Sequence, residues 1–214
     1  MKLHHYFRSS ASYRVRIALN LKNLPYESVP VNLLTSEQMA AGFARTNPAQ
    51  LVPVLEDGGE AFSQSLAIVE YLDERFPDPP LLPRGSATDR AYVRQLALAI
   101  ACDIHPLNNL RVLKYLMGPL GQDEAAKNVW ARHWIALGFG AIEAQLVSSP
   151  RRGRFCFGDS PTLADVCLIP QIANAQRVDL DLAPYPTIRA IERECAALEA
   201  FGKAHPSAQP EATP

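Results

Sequence analysis

Short segments that switch between strand and helix character open the chain, and helical periodicity alone follows. Residues 2–7 suit a short strand. Ser9 and Ser10 then stand before a helical run over 13–21, in which Val15, Ala18 and Leu19 share one face. Residues 26–32 suit a second strand, and 36–45 a short second helix. Residues 52–56 are extended, Asp57-Gly58-Gly59 is a hairpin signal, and 61–63 return as a strand. A helix starts at 65 and stops before Pro77. The predicted order β-α-β-α-β-β-α sets one hairpin beside parallel units, which means a mixed four-stranded sheet covered by helices.

The run Pro77-Asp78-Pro79-Pro80-Leu81-Leu82-Pro83 is barred from helix and makes a poor strand, so it reads as a linker that closes a first domain, 1–83. Beyond it only helices are predicted, in a second domain spanning 88–214. They cover 88–117 with a break at Pro106, 123–147 with Gly138 and Gly140 inside, 162–178 with Pro170 inside, and 187–204. Residues 206–214 carry three prolines and almost no apolar side chain, which predicts a loose tail.

Composition narrows the function. Hydrophobic residues make up 48% of the 214, charged residues 20%, and the net charge is -1. There is no basic footprint for nucleic acid and no acidic run. The longest apolar run, Leu96–Cys102, is too short to span a bilayer, and the N-terminus lacks a signal-peptide stretch, so a cytoplasmic protein is expected. Cys102, Cys156, Cys167 and Cys195 have neither CxxC nor zinc spacing, so free thiols and no metal site are expected. No cysteine precedes residue 102. Thiol chemistry in the first domain must therefore use a thiol brought in.

Common catalytic motifs are absent: no GxGxxG, P-loop, HExxH or GxSxG. Gly138-Phe139-Gly140 lies within a helical pattern and reads as a close helix–helix contact. Arg8-Ser9-Ser10-Ala11-Ser12 sits at a strand-to-helix junction, where serines either cap the helix or line an anion site at its positive end. Gln64-Ser65 poses the same choice, with Ser65 the expected cap residue. Val52-Pro53 is trans by default; a cis bond would present the Val52 backbone to an extended peptide. Two helix N-termini and one peptide-like edge suit a small anionic peptide. His105 precedes the break at Pro106, and Asn109, at i+4, can share its face. Thr162-Leu163-Ala164-Asp165 fits a capping box and reads as a folding element.

The run from Tyr6 to Leu19, with Arg8-Ser9-Ser10-Ala11-Ser12-Tyr13-Arg14 at its centre, resembles the active-site segment of zeta-class glutathione transferases. Asn47-Pro48, Leu51–Leu55, Gln64–Ile68, Gly158-Asp159, Thr162–Asp165 and Asp181–Pro186 extend the resemblance in family order, and Asp103-Ile104-His105-Pro106 adds to it. The resemblance implies an α/β thioredoxin-like domain followed by an all-α domain, a homodimer, and glutathione as cofactor. The charge balance and short apolar runs lead to the expectation of no nucleic-acid or membrane partner. Ser9, Ser10, Ala11, Ser12, Tyr13 and Arg14 would surround the thiol, and Gln38 would reach the glycyl end. Val52 would pair with the cysteinyl backbone before a cis Pro53. Gln64 and Ser65 would hold the γ-glutamyl end, and His105, Asn109 and Arg111 would enter from the helical domain. The implied activity is cis–trans isomerisation of an anionic cis-dienoic keto acid by reversible thiolate addition. Maleylacetoacetate, from aromatic amino-acid breakdown, is the first substrate and maleylpyruvate the alternative, with general glutathione transfer as a rival activity. Ser9, Ser10, Ser12 and Arg8 are the catalytic candidates. Arg8, Arg111 and Arg177 are the candidates for binding substrate carboxylates. One position departs from the family pattern: Ala11 stands where a cysteine is common, so no protein thiol supports the site.

Overall fold

A computed structural model describes residues 1–212. The chain divides into two units, one made of Met1–Leu81 with the segment from Ala196 onward, the other of Leu82–Cys195. The break at 81/82 falls in the proline linker. The expected second domain, 88–214, keeps its helices only as far as 195, because the last segment belongs to the first unit.

In the first unit, β1 (Lys2–His5), α1 (Ser10–Leu21) and β2 (Glu27–Pro30) form a parallel crossover. A 3-10 turn (Glu37–Met39) and α2 (Ala41–Thr46) replace the single helix expected over 36–45. The hairpin of β3 (Val54–Asp57) and β4 (Glu60–Ser63) leads into α3 (Ser65–Arg75). The sheet has the order β2-β1-β3-β4 and is mixed, as the sequence pattern predicts.

Helix α1 is buried almost all round rather than along one apolar stripe. It packs against α3 on one side and α9 (Glu199–Ala204) on the other. Its polar side chains therefore find partners inside: Asn20 Nδ2 donates to the Ala200 carbonyl at 3.1 Å. The last expected helix, 187–204, is two helices, α8 (Pro186–Ala196) and α9, separated where Leu198 turns extended and the chain returns to the first unit. The tail expected to be loose is held as far as Ala212. It forms two 3-10 turns, and the buried Gln209 amide donates to the carbonyls of Lys203 (2.8 Å) and His205 (3.0 Å).

In the second unit, α4 (Ala87–Leu98) runs into a π-helical turn (Ala99–Ile104) and a 3-10 turn (Pro106–Asn108) before α5 (Leu110–Met117). Helices α6 (Glu124–Ser148) and α7 (Leu163–Arg177) follow, and α8 runs up to the boundary. The expected close contact occurs at Gly138, where an added Cβ would lie 2.3 Å from Ile104 Cδ1; Gly140 has open space. The capping box forms as expected. Asp165 Oδ2 accepts from the Thr162 N–H (2.7 Å) and hydroxyl (2.9 Å), and Oδ1 from the Cys156 N–H (2.9 Å). None of the four cysteines is in a disulfide, and burial pushes the Cys156 and Cys195 thiols up. Among the described residues, no helix is long and apolar enough to cross a membrane.

Candidate functional site

Strand register brings the marked segments of the first unit together. His4 pairs with Val54, Val54 with Ser63, and His5 with Pro30. The end of β1, the start of β3 and the ends of β4 and β2 therefore share one edge of the sheet. Residues 6–9, 52–53, 64–65 and the turn holding Gln38 all leave from that edge.

The chain turns over Tyr6–Ser9, closed by the Ser9 N–H on the Tyr6 carbonyl at 3.0 Å. Ser9 then caps α1: it is extended (φ -68°, ψ 119°), and its Oγ accepts from the Ser12 N–H at 3.2 Å. Ser9 and Ala11 are half-buried, whereas Ser10 is buried and Ser12 fully so. The Ser12 hydroxyl is sealed from solvent without a hydrogen-bond partner. Of the three serines in the motif, Ser9 is the one whose side chain a ligand can reach. Arg8 is exposed, its guanidinium 5.4 Å from the centre of the Phe7 ring. Tyr13 is buried, and its hydroxyl donates to the Phe201 carbonyl at 3.4 Å.

A second helix start lies at the same edge. Ser65 is the first residue of α3 rather than its cap; Gln64 takes the cap position with φ 71° and ψ 112°. A positive φ on a non-glycine residue is strained, and such strain collects at ligand clamps. The cap therefore lies one residue before the serine that cap statistics favour, and the helix begins one residue earlier than a Ser65 cap would allow. The buried Arg14 reaches across from α1, its Nη1 donating to Ser65 Oγ at 3.2 Å. Neither α1 nor α3 has an acidic residue in its first turn. Neither positive helix end is therefore offset by a first-turn carboxylate, and a guanidinium stands behind the second.

Val52-Pro53 is cis, and Val52 lies outside the sheet ladder, which begins at Val54. The buried Asn47 braces the preceding loop by donating to the Leu51 carbonyl at 2.8 Å. Gln38 is half-buried with its Oε1 closed off from solvent.

The second unit holds the other candidates. His105 follows the π-turn, its N–H donating to the Ile100 carbonyl at 2.8 Å; wide turns of this kind are frequent at functional sites. The i+4 relation of His105 and Asn109 does not hold, because the 3-10 turn intervenes and Asn109 is extended. Asn109 instead caps α5, accepting from the Arg111 N–H at 3.1 Å. Arg111, in the first turn of α5, and Arg177, the last residue of α7, are exposed. Sequence reasoning missed Arg16, the buried arginine one turn below the site. The signal was a second arginine two residues after Arg14, set between the apolar Val15 and Ile17.

Two family models match the chain: glutathione S-transferase, N-terminal domain, over residues 3–80, and glutathione S-transferase, C-terminal domain, over residues 135–201. A maleylpyruvate isomerase of a Ralstonia species is 51% identical, covering 99% of each chain. A solved holo structure of a maleylpyruvate isomerase, described as a bacterial zeta-class glutathione S-transferase, superposes with a TM-score of 0.97 at 51% identity over 99% of each chain. A maleylacetoacetate isomerase from Methylobacterium extorquens AM1, solved with malonate and glutathione bound, gives 0.95 at 40% identity, again over 99% of each chain.

Proposed function

The chain belongs to the glutathione S-transferase family, in its zeta class, and from that premise we propose that it isomerises maleylacetoacetate to fumarylacetoacetate with glutathione as cofactor. When bound, glutathione supplies a thiolate that adds to the cis double bond, lets it rotate, and leaves unchanged. The observation that carries the reading is the pair of helix N-termini at one sheet edge, one capped by Ser9 and one backed by Arg14.

These residues fit a small anionic peptide. The start of α3, with Ser65, Gln64 and the Arg14 guanidinium, suits the γ-glutamyl carboxylate. Val52, outside the ladder, offers its backbone to an extended chain. A free thiol has a pKa of ~8.5 and is only a few per cent ionised at neutral pH. The Ser9 hydroxyl and the α1 dipole would lower it by about one to two units, roughly 1.4–2.7 kcal/mol. Ser10 and Ser12, being buried, shape the turn instead of touching sulfur. Ala11 leaves the incoming thiol as the site's own sulfur. Arg8, Arg111 and Arg177 are assigned to the substrate carboxylates. Gln38, His105, Asn109 and Tyr13 enter the proposed site on the family resemblance. A homodimer and a cytoplasmic location belong to the same reading and rest on the same support.

Maleylpyruvate is a second reading, compatible with the 51% identity to a maleylpyruvate isomerase. Purified protein given either keto acid, with and without glutathione, tests both. Rapid glutathione-dependent loss of the cis absorbance is expected, and the ratio of kcat/KM values assigns the substrate. No turnover of either compound contradicts the proposal.

A further inference from the structure

We infer that Arg16 is a positioning residue for this chemistry: its guanidinium fixes the peptide between Phe7 and Arg8, and with it the turn that delivers Ser9 to the start of α1. The catalytic sense of the inference rests on the role of Ser9 given above; the structural hold does not.

Arg16 is fully buried. Its Nε donates to the Ala204 carbonyl of α9 at 2.9 Å, and its Nη2 to the Phe7 carbonyl at 3.0 Å. Its Nη1 lies 3.2 Å from His5 Nδ1 at the end of β1. Phe7 and Arg8 are the central residues of the turn closed by Ser9 and Tyr6. The main β-turn types differ in which way that central peptide faces. Drawing the Phe7 carbonyl inward selects one of them. Because the peptide is trans, the Arg8 N–H then points the other way, outward. Arg16 thus sets both the outward donor and the approach of Ser9.

Stability does not account for the charge. The three partners are two carbonyls and an imidazole, with no carboxylate among them. Burying such a cation costs several kcal/mol, and an apolar side chain of similar volume often fills such a site without loss. What an apolar chain or a lysine lacks is a rigid fork that ties three segments at once. The groups facing the guanidinium are Tyr13, Tyr26, Glu211, His5 and His205. Burial lowers the Arg16 pKa to about 10, so it is charged at neutral pH. Burial and Arg16 push His5 down to about 4, so it is neutral and accepts through Nδ1. Its Nε2 then carries the proton and donates to Ser28 Oγ at 2.7 Å, and Ser28 Oγ donates to Glu211 Oε1 at 3.4 Å. This line of bonds extends the hold on the turn to the C-terminal segment.

Arg16→Lys and Arg16→Met are compared with the wild type by two readouts. One is amide hydrogen exchange at Ser9, whose N–H closes the turn on the Tyr6 carbonyl, in the ligand-free protein; the other is the ultraviolet titration of the bound glutathione thiol. In both variants exchange should rise by about tenfold or more at that amide, with α6 unmoved. The bound thiol pKa should rise by about one unit. Lysine failing to rescue marks positioning, because lysine keeps the charge and loses the fork. The inference is overturned if lysine restores both readouts. It is equally overturned if the variants melt lower yet keep wild-type exchange and titration. Should Arg16→Met not fold, Arg16→Lys alone carries the same two readouts. A wild-type protein that binds glutathione without ionising it overturns the Ser9 reading and the catalytic sense of this one, while the exchange result still decides the hold on the turn.

Discussion

Replacing Ser9 by alanine removes two interactions that can be measured apart. The first is the cap, Oγ accepting from the Ser12 N–H at 3.2 Å. Losing such a cap costs about 1 kcal/mol, which for a chain of this size lowers the Tm by roughly 2–4 °C. The second is the proposed hydrogen bond to the bound thiolate. A bond to a charged group contributes about 1.5–3 kcal/mol, so the bound thiol pKa should rise by about one to two units. At pH 7 that lowers kcat/KM by about tenfold or more. Ser12→Ala is the internal control, since its hydroxyl is fully buried with no partner. Deleting an unsatisfied hydroxyl should be neutral or stabilising by up to about 1 kcal/mol, and should leave the thiol titration where it was. Thermal melts without ligand report the cap; ultraviolet titration of bound glutathione reports the thiolate. A Ser12→Ala variant that raises the thiol pKa as much as Ser9→Ala would refute this reasoning.

Four further outcomes are expected. Asp165→Asn should cost about 2–4 kcal/mol in urea unfolding, because asparagine offers one acceptor where the carboxylate uses both oxygens; a loss under about 0.5 kcal/mol would contradict the box as drawn. Gly138→Ala, pressed against Ile104, should lose about 1–3 kcal/mol, whereas Gly140→Ala, in open space, should gain roughly 0.5–1 kcal/mol of helix propensity; paired melts in the opposite order would sink the packing argument. His5, held near pKa 4 by burial and Arg16, refuses the proton that the unfolded chain accepts near 6.5. Stability should therefore fall as pH drops through that window, by about 3 kcal/mol in all, and His5 titrating near 6.5 by NMR would contradict it. Arg8→Ala and Arg111→Ala should each lower kcat/KM by more than about tenfold, and a smaller loss in either removes that residue from substrate binding.

The order of elements in the first unit was legible because its hydrophobic period switches cleanly between strand and helix, and Asp57-Gly58-Gly59 punctuates the hairpin. The return of 196–212 was not. Periodicity tells which face of α8 and α9 is apolar, not which unit that face meets. The tail looked loose because carbonyls and the Gln209 amide hold it, and neither leaves a hydrophobic trace. At the site, the serine motif and Gln64-Ser65 marked both helix ends from sequence. The strained Gln64 took the cap of α3 from Ser65, and Asn109 was spent on a cap, because local backbone geometry overrode residue spacing. Ser12 withdrew into the interior for a related reason: α1 is buried on nearly all sides.

The central claim is that the protein uses glutathione without consuming it. Free thiol should be counted while maleylacetoacetate, with glutathione present, loses its cis absorbance on the protein. A constant thiol count through many turnovers is the expected result. One thiol lost for each substrate would make the protein a conjugating transferase, and an unchanged cis absorbance would deny it the isomerisation altogether.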